Sequence, residues 1–238
     1  MISAGDVIFF DFTGIYEKEG FAETGYHLDM RELKGTGMYV DGEAERIIRA
    51  RLDSIEGLKG YRLRFLDNGN YHYMTRILAS YIDEPFDLIT FDNHTDDKPP
   101  AFGGLRSCGS WRLDIRAENP RLQSSLLIRK KEDFEMNYVP SDLPLYISLD
   151  KDILSESVLK TNWDQGDMME DELFGIIETL MGSRRILAFD VCGEDLADAP
   201  CEANRRFNER IIEIRRRYES GRCDIQKDVR GYTGSRYG

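Results

Sequence analysis

Six short apolar runs set the frame: VIFFDF (7–12), YRLRFL (61–66), FDLITFD (86–92), LQSSLLI (122–128), LPLYISLD (143–150) and RILAFDV (185–191). Each is strand-length, nearly continuous in apolar character, and separated from the next by a longer stretch with helical periodicity. Strands that alternate with helices need crossover connections, which specifies an α/β chain with a mainly parallel sheet covered by helices in three α/β/α layers. Helices are expected over 43–56, 71–82, 168–182 and 203–218. The third has the clearest stripe, Met169, Leu173, Ile176, Ile177 and Leu180, with Asp167 and Glu170 as its cap. The fourth sets Phe207, Ile211, Ile214 and Tyr218 against an Arg-rich face. With Glu209 and Glu213 interspersed, that face reads as solvated rather than as a nucleic-acid surface. No Pro/Gly/Ser linker divides the chain, so a single domain is expected over 1–226, with a Gly-rich tail over 227–238.

Charge and cysteine usage narrow the partners. With 32 Lys+Arg against 44 Asp+Glu, the formal charge of −12 opposes binding to nucleic-acid phosphate or to an anionic membrane surface. No apolar run approaches the roughly 18 residues of a spanning helix. The first residues, with Asp6 and Asp11 in their apolar stretch, read as a strand and not a signal peptide. The 4 cysteines, Cys108, Cys192, Cys201 and Cys223, form no Cys-x-x-Cys pair. Scattered cysteines in a chain with no recognisable signal fit a reducing cytoplasm, which is the expected location.

The 3 histidines point to the chemistry. Asp92, His94 and Asp96 form an Asp-x-His-x-Asp directly after the third run. There an extended backbone aims alternate side chains to one side, at the strand end where parallel sheets place their ligands. Asp150 and Asp152 repeat the pattern as Asp-x-Asp after the fifth run. Four carboxylates so gathered repel one another by about several kcal/mol unless protons or cations compensate, and a divalent metal is the usual compensation. Either motif alone is equally well a turn or a helix cap. His72, in GNYHY after the second run, supplies a further candidate ligand.

In order, His72, then Asp92-x-His94-x-Asp96, then Asp150-x-Asp152 resembles the ureohydrolase superfamily, the arginases and agmatinases, over residues 61–195. That resemblance implies an arginase/deacetylase-like fold and a binuclear manganese centre of two Mn2+ per chain. One ion would take His72, Asp92, Asp96 and Asp150, the other Asp92, His94, Asp150 and Asp152. Oxygen-rich sets with one imidazole suit Mn2+, and paired ions can generate a hydroxide nucleophile near neutral pH. The implied reaction is hydrolysis of a guanidino compound with release of urea. Asp96 would support the intermediate, and a carboxylate at the end of the sixth run, Glu194 or Asp190, would bind the guanidinium. Trp163, Asp164 and Gln165 would read the substrate at the mouth.

Three departures accompany the resemblance. The His-Gly pair expected after Asp-x-His-x-Asp is replaced by GGLRSCGSW (103–111), containing Cys108. Gly-Gly-Asp-His has become Gly69-Asn70-Tyr71-His72, and Asp190 and Glu194 stand four apart rather than three. His27, the remaining imidazole, is expected in an exposed loop. A chain this short implies an open site that admits a small guanidino molecule or a peptidyl arginine, and a homo-oligomer is compatible with it. Two alternatives stay open: a deacetylase-type amide hydrolase with one zinc, and a metal-binding relative without activity.

Overall fold

The computed structural model describes residues 6–21, 25–100 and 103–231, the last thirteen of these by backbone alone. All six expected strands form, as β1 (Val7–Asp11), β4 (Leu63–Phe65), β5 (Phe86–Phe91), β7 (Leu122–Ile128), β8 (Leu145–Asp150) and β9 (Ile186–Cys192). With the further strand β2 (Tyr26–Asp29) they make a seven-stranded sheet in the order β2-β1-β4-β9-β8-β5-β7. Every pairing within it is parallel. Two short strands, β3 (Tyr39–Val40) and β6 (Arg106–Ser107), pair antiparallel apart from it.

Period-two alternation divides the strands between two cores. Phe9, Phe65, Phe91, Ile147 and Leu149 pack on α6 (Glu170–Ser183) and α7 (Glu202–Gly231) through residues such as Leu173, Ile177, Phe207 and Ile211. Ile8, Phe10, Leu88, Tyr146 and Ala188 face the opposite way. There they meet α2 (Gly42–Asp53), α3 (Met74–Ala79) and α4 (Trp111–Glu118) through Ile48, Leu52, Ile77 and Trp111. This is the three-layer α/β/α arrangement that alternating strands and helices specify.

The remaining helices are α1 (Ile15–Lys18) and α5 (Lys131–Asn137), which, like α4, lack a long apolar stripe in sequence. The helix expected over 71–82 contracts to α3, because a short 3-10 turn (69–71) precedes it. At the start of α6 it is Glu172, rather than Asp167 or Glu170, that accepts the free Met169 N–H, at 3.1 Å. α7 extends far beyond 218, so residues 227–231, assigned to a tail, continue the helix; residues 232–238 lie outside the described residues. Its arginines are only partly solvated: Arg210 reaches Glu170 at 2.9 Å and Arg217 reaches Glu178 at 3.2 Å, tying α7 to α6.

Connectivity positions the site. From β5 the chain goes to the edge strand β7, then returns to lay β8 against the other side of β5. A reversal of this kind opens a crevice at the carboxyl ends of the strands. The register sets Phe91 beside Leu149 and Asp150 beside Cys192. Residues 92–96, 150–152 and 192–194 therefore emerge side by side.

Candidate metal centre

Three strand ends and one turn deliver the candidate ligands. After β4, buried Asp67 takes a left-handed φ of 70°. It accepts the N–H groups of Phe12 and Thr13 at 2.8 and 2.9 Å, which locks the turn to the end of β1. Asn68 then caps Asn70 N–H at 3.0 Å, and the tight turn brings His72 under the ends of β5 and β8. Here the imidazole is sealed from solvent. Its Nε2 meets Ser148 Oγ at 2.8 Å, and its Nδ1 lies 3.3 Å from Asp92 Oδ2, 3.3 Å from Asp96 Oδ2 and 3.5 Å from Asp150 Oδ2. On the other side of Asp92, Oδ1 faces His94 Nδ1 at 3.7 Å, and that nitrogen lies 2.7 Å from Asp152 Oδ2. Asp92 thus presents one oxygen to each half of the cluster.

All six expected residues, His72, Asp92, His94, Asp96, Asp150 and Asp152, converge. Two triads, His72–Asp92–Asp96 and Asp92–His94–Asp152, each hold their ligand atoms within 4.8 Å of one another. A third, His72–Asp150–Cys192, meets the same limit. Each carboxylate is oriented by its surroundings. Asp92 Oδ1 accepts His94 N–H at 2.5 Å, Asp152 Oδ1 accepts Asn93 N–H at 2.9 Å, and Asp150 Oδ1 accepts Asp152 N–H at 3.1 Å. Asp96 stands at a left-handed φ of 47° and accepts the Trp111 indole N–H at 2.6 Å.

Electrostatically the cluster is crowded with carboxylates. Burial, then repulsion from Asp96, pushes the Asp92 carboxyl well above its usual range. Burial, then Asp152, holds Asp150 up to about 7. Hydrogen bonding to Asp152, with further help from Asp164, raises His94 to about 10. Meanwhile His72 Nδ1 and Asp92 Oδ2 are fully buried and without a hydrogen-bond partner. Orphaned buried atoms are costly, and here they face one another among hard oxygen donors. The donor set, four carboxylates with two imidazoles, fits a pair of hard divalent cations.

Above the cluster lies a cavity of about 290 Å³. Trp163 and Asp164 line it, as the sequence suggests. The Trp163 ring meets His94 edge-on at 5.6 Å, and Asp164 Oδ1 meets His94 Nε2 at 3.1 Å. Cys108 and Gly109 form another part of the wall, where the resemblance leads one to expect His-Gly.

Four assignments need correction. Glu194 lines no part of the cavity: it is 1% exposed and bonded to the equally buried Lys151 Nζ at 2.6 Å and to Asn208 at 2.7 Å. Asp190 is sealed within the sheet against Tyr146 and Arg64, so it reaches no substrate. Gln165 braces its own loop, bonding Leu154 O, Leu159 O and Thr161 N–H. His27 sits on β2 with Nε2 3.1 Å from buried Asp11, not in an exposed loop.

Other residues were missed. Ser148 stands two residues before Asp150 but was given no role, Trp111 carries no motif, and Cys192 joins the cluster only through its register with Asp150. Lys98 and Arg129 also line the cavity. Their signal was available, since Arg129 directly follows the LQSSLLI strand and Lys98 follows Asp-x-His-x-Asp by two residues.

No family model matches the chain. A protein from Thermotoga maritima described as uncharacterized is 27% identical over 205 residues, 77% of this chain and 78% of its own. Among solved structures, a hypothetical agmatinase from Burkholderia thailandensis superposes with a TM-score of 0.63 at 14% identity, over 91% of this chain and 87% of that one. The agmatine ureohydrolase of Thermoplasma volcanium gives 0.58 at 14% identity, over 92% of each. A variant of formiminoglutamase from Trypanosoma cruzi, solved with Mn2+, gives 0.54 at 11% identity, over 81% and 86%. The chain has the arginase/agmatinase ureohydrolase fold. Among the described residues no helix is long and apolar enough to cross a membrane.

Proposed function

We propose that this chain is a binuclear metal hydrolase that cleaves the C–N bond of an amidine or guanidine. The observation that carries the proposal is the convergence of His72, Asp92, His94, Asp96, Asp150 and Asp152 around atoms that have no other partner. Asp92 belongs to both triads and would be shared; Asp150, 3.5 Å from His72 and accepting the Asp152 N–H, is the second candidate for sharing. The fold supports the reading, because proteins named for amidine hydrolysis and one solved with Mn2+ share it. Bound there, a pair of divalent ions, Mn2+ by the donor set, supplies a water nucleophile at neutral pH and positive charge beside the reacting carbon.

The chain's own residues do the rest. Ser148 bonds His72 Nε2 and so turns Nδ1 toward the cluster, an outer contact of the kind that orients metal-binding imidazoles. Asp96, fixed by Trp111, holds a carboxylate oxygen beside the cluster to bind the amidinium and keep its proton. The Trp163 ring and the Asp164–His94 pair wall the cavity and limit the access of water. For a guanidine, water adds to the central carbon and the bond to the substituted nitrogen breaks. That nitrogen departs with a proton as an amine, and the carbon departs as urea.

Elemental analysis after manganese loading and dialysis without chelator, followed by urea, ammonia and formamide assays on a panel of amidines, tests the reading. Two ions per chain with cleavage is expected. One zinc with amide cleavage would favour the deacetylase alternative, and no bound metal would overturn the proposal. Cys108 standing where a proton-donating imidazole is expected favours one second reading, a metal-binding chain without turnover. Two bound ions with an inert panel would select it.

A further inference from the structure

The cavity above the cluster carries a second charge pattern. Lys98 and Arg129 line it on the side of the β5 and β7 ends, and among the described residues neither head group forms an ion pair. The acids nearby are already engaged. Asp164 bonds His94 at 3.1 Å, and Asp97 bonds Arg112 and Arg116 at 3.2 and 2.6 Å. Arg129, exposed like Lys98, donates its Nε to Asn93 O at 2.9 Å, and among the described residues the two terminal nitrogens of its guanidinium have no partner. Glu194, the carboxylate expected to greet a cation, is sealed away against Lys151.

With four carboxylates balanced by two divalent ions and His94 neutral as a ligand, Lys98 and Arg129 face the single remaining acid Asp164, so the cavity keeps a net positive charge. At about 290 Å³ the cavity sits near the lower end of ligand sites, so a linear molecule with its amidine at the cluster puts its other end against the wall. An arginine fork with both terminal nitrogens free matches a carboxylate in a bidentate way, and an adjacent lysine adds charge without geometry.

We propose that Arg129 and Lys98 select a carboxylate at the far end of the substrate, so that the site takes amidino or guanidino acids in preference to amidino amines. This inference rests on the hydrolase reading above. Its test is titration of γ-guanidinobutyrate and of agmatine, an acid and an amine of similar length, into the manganese-loaded full chain by calorimetry. The acid should bind at least about tenfold more tightly. Lys98→Glu should weaken the acid and strengthen the amine, a reversal that misfolding does not produce, and Arg129→Gln should weaken the acid alone. Equal or tighter binding of agmatine, binding of neither compound, or an acid-to-amine ratio unchanged in both variants would overturn the proposal. Turnover separates the two readings. Tight binding of the acid without urea release sinks the hydrolase reading while the carboxylate preference stands. Faster urea release from agmatine sinks the preference while the hydrolase reading stands.

Discussion

Replacing Asp92 by Asn separates a metal centre from an ordinary buried polar network, because the two predict opposite signs in metal-free protein. Asp92 shares one triad with Asp96 and another with Asp152, its ligand atoms within 4.8 Å of theirs. At that separation and an effective dielectric of about 20, two ionised carboxylates would repel by about 3.5 kcal/mol, which with burial is why the metal-free Asp92 carboxyl holds its proton well above the usual range; Asn carries the same neutral charge with no proton to hold. The substitution keeps the oxygen that accepts His94 N–H and points a neutral amide at the orphaned His72 Nδ1. Relief of about 2 kcal/mol is expected, which raises the melting temperature of chelator-treated protein by about 4–8 °C for a chain of this size. Manganese should invert the order. The parent gains about 2.7 kcal/mol at a hundredfold excess over Kd, whereas the variant has lost a shared ligand. Scanning calorimetry with chelator and with manganese reads both signs. A variant that melts below the parent in chelator as well would refute the reasoning, because the cluster would then be stable without cations.

Three further substitutions probe its supports. A Cβ at Gly193, whose φ is 100°, would sit 2.6 Å from Asp150 Oδ1 and 2.8 Å from Lys151 N. Gly193→Ala should therefore cost about 1–3 kcal/mol in backbone strain alone and lower manganese content, and unchanged metal by elemental analysis would contradict this. Ser148→Ala leaves buried His72 Nε2 without its partner and should weaken manganese binding about 10–100-fold while costing about 1–3 kcal/mol of stability, with an unaltered binding isotherm as the contrary result. Burial and then repulsion from Glu194 hold buried Glu19 up to about 8. The native state therefore keeps a proton that the unfolded chain loses near 4.5, so stability falls as pH rises from about 4.5 to 8. Glu19→Gln removes that fall. Its stabilisation in urea titrations should be larger at pH 9 than at pH 5, and an equal effect at both would dismiss the assignment.

Legibility followed periodicity and local motif. Five of the six strands were readable because central parallel strands are apolar on both faces, and edge strand β7 through the apolar end of LQSSLLI, whereas β2 escaped because YHLD on the other edge lacks such a run. α4 and α5 hid for a similar reason: each is short, and α5 buries no residue. The six clustered residues were legible by motif and spacing, although the expected alternation stops with the strands: residues 92–96 leave β5 in a bend with Asp96 at a left-handed φ of 47°, and Asp152 stands in a 3-10 turn. Glu194 and Asp190 were not, because their surroundings are tertiary. Asp190 is committed to Tyr146 and Arg64 in the sheet, and Lys151, unremarkable in sequence between two aspartates, captures Glu194 beneath it.

That capture bears on what the site can accept. A buried lysine persists only when paired, and removing one partner of such a pair costs about 3–5 kcal/mol. Lys151 is fully buried, with Glu194 at 2.6 Å and Asn204 at 2.7 Å. Glu194 therefore cannot turn toward the cavity without leaving that buried ammonium to the neutral amides of Asn204 and Asn208, and Gly193 beside it offers no side chain. The end of β9 is thereby removed from substrate recognition, and the unpaired charges that remain at the cavity wall are Lys98 and Arg129. The same register that places Asp150 against Cys192 brings the end of β9 beside the cluster, while Lys98 and Arg129 stand at the ends of β5 and β7, where the proposed carboxylate preference would reside.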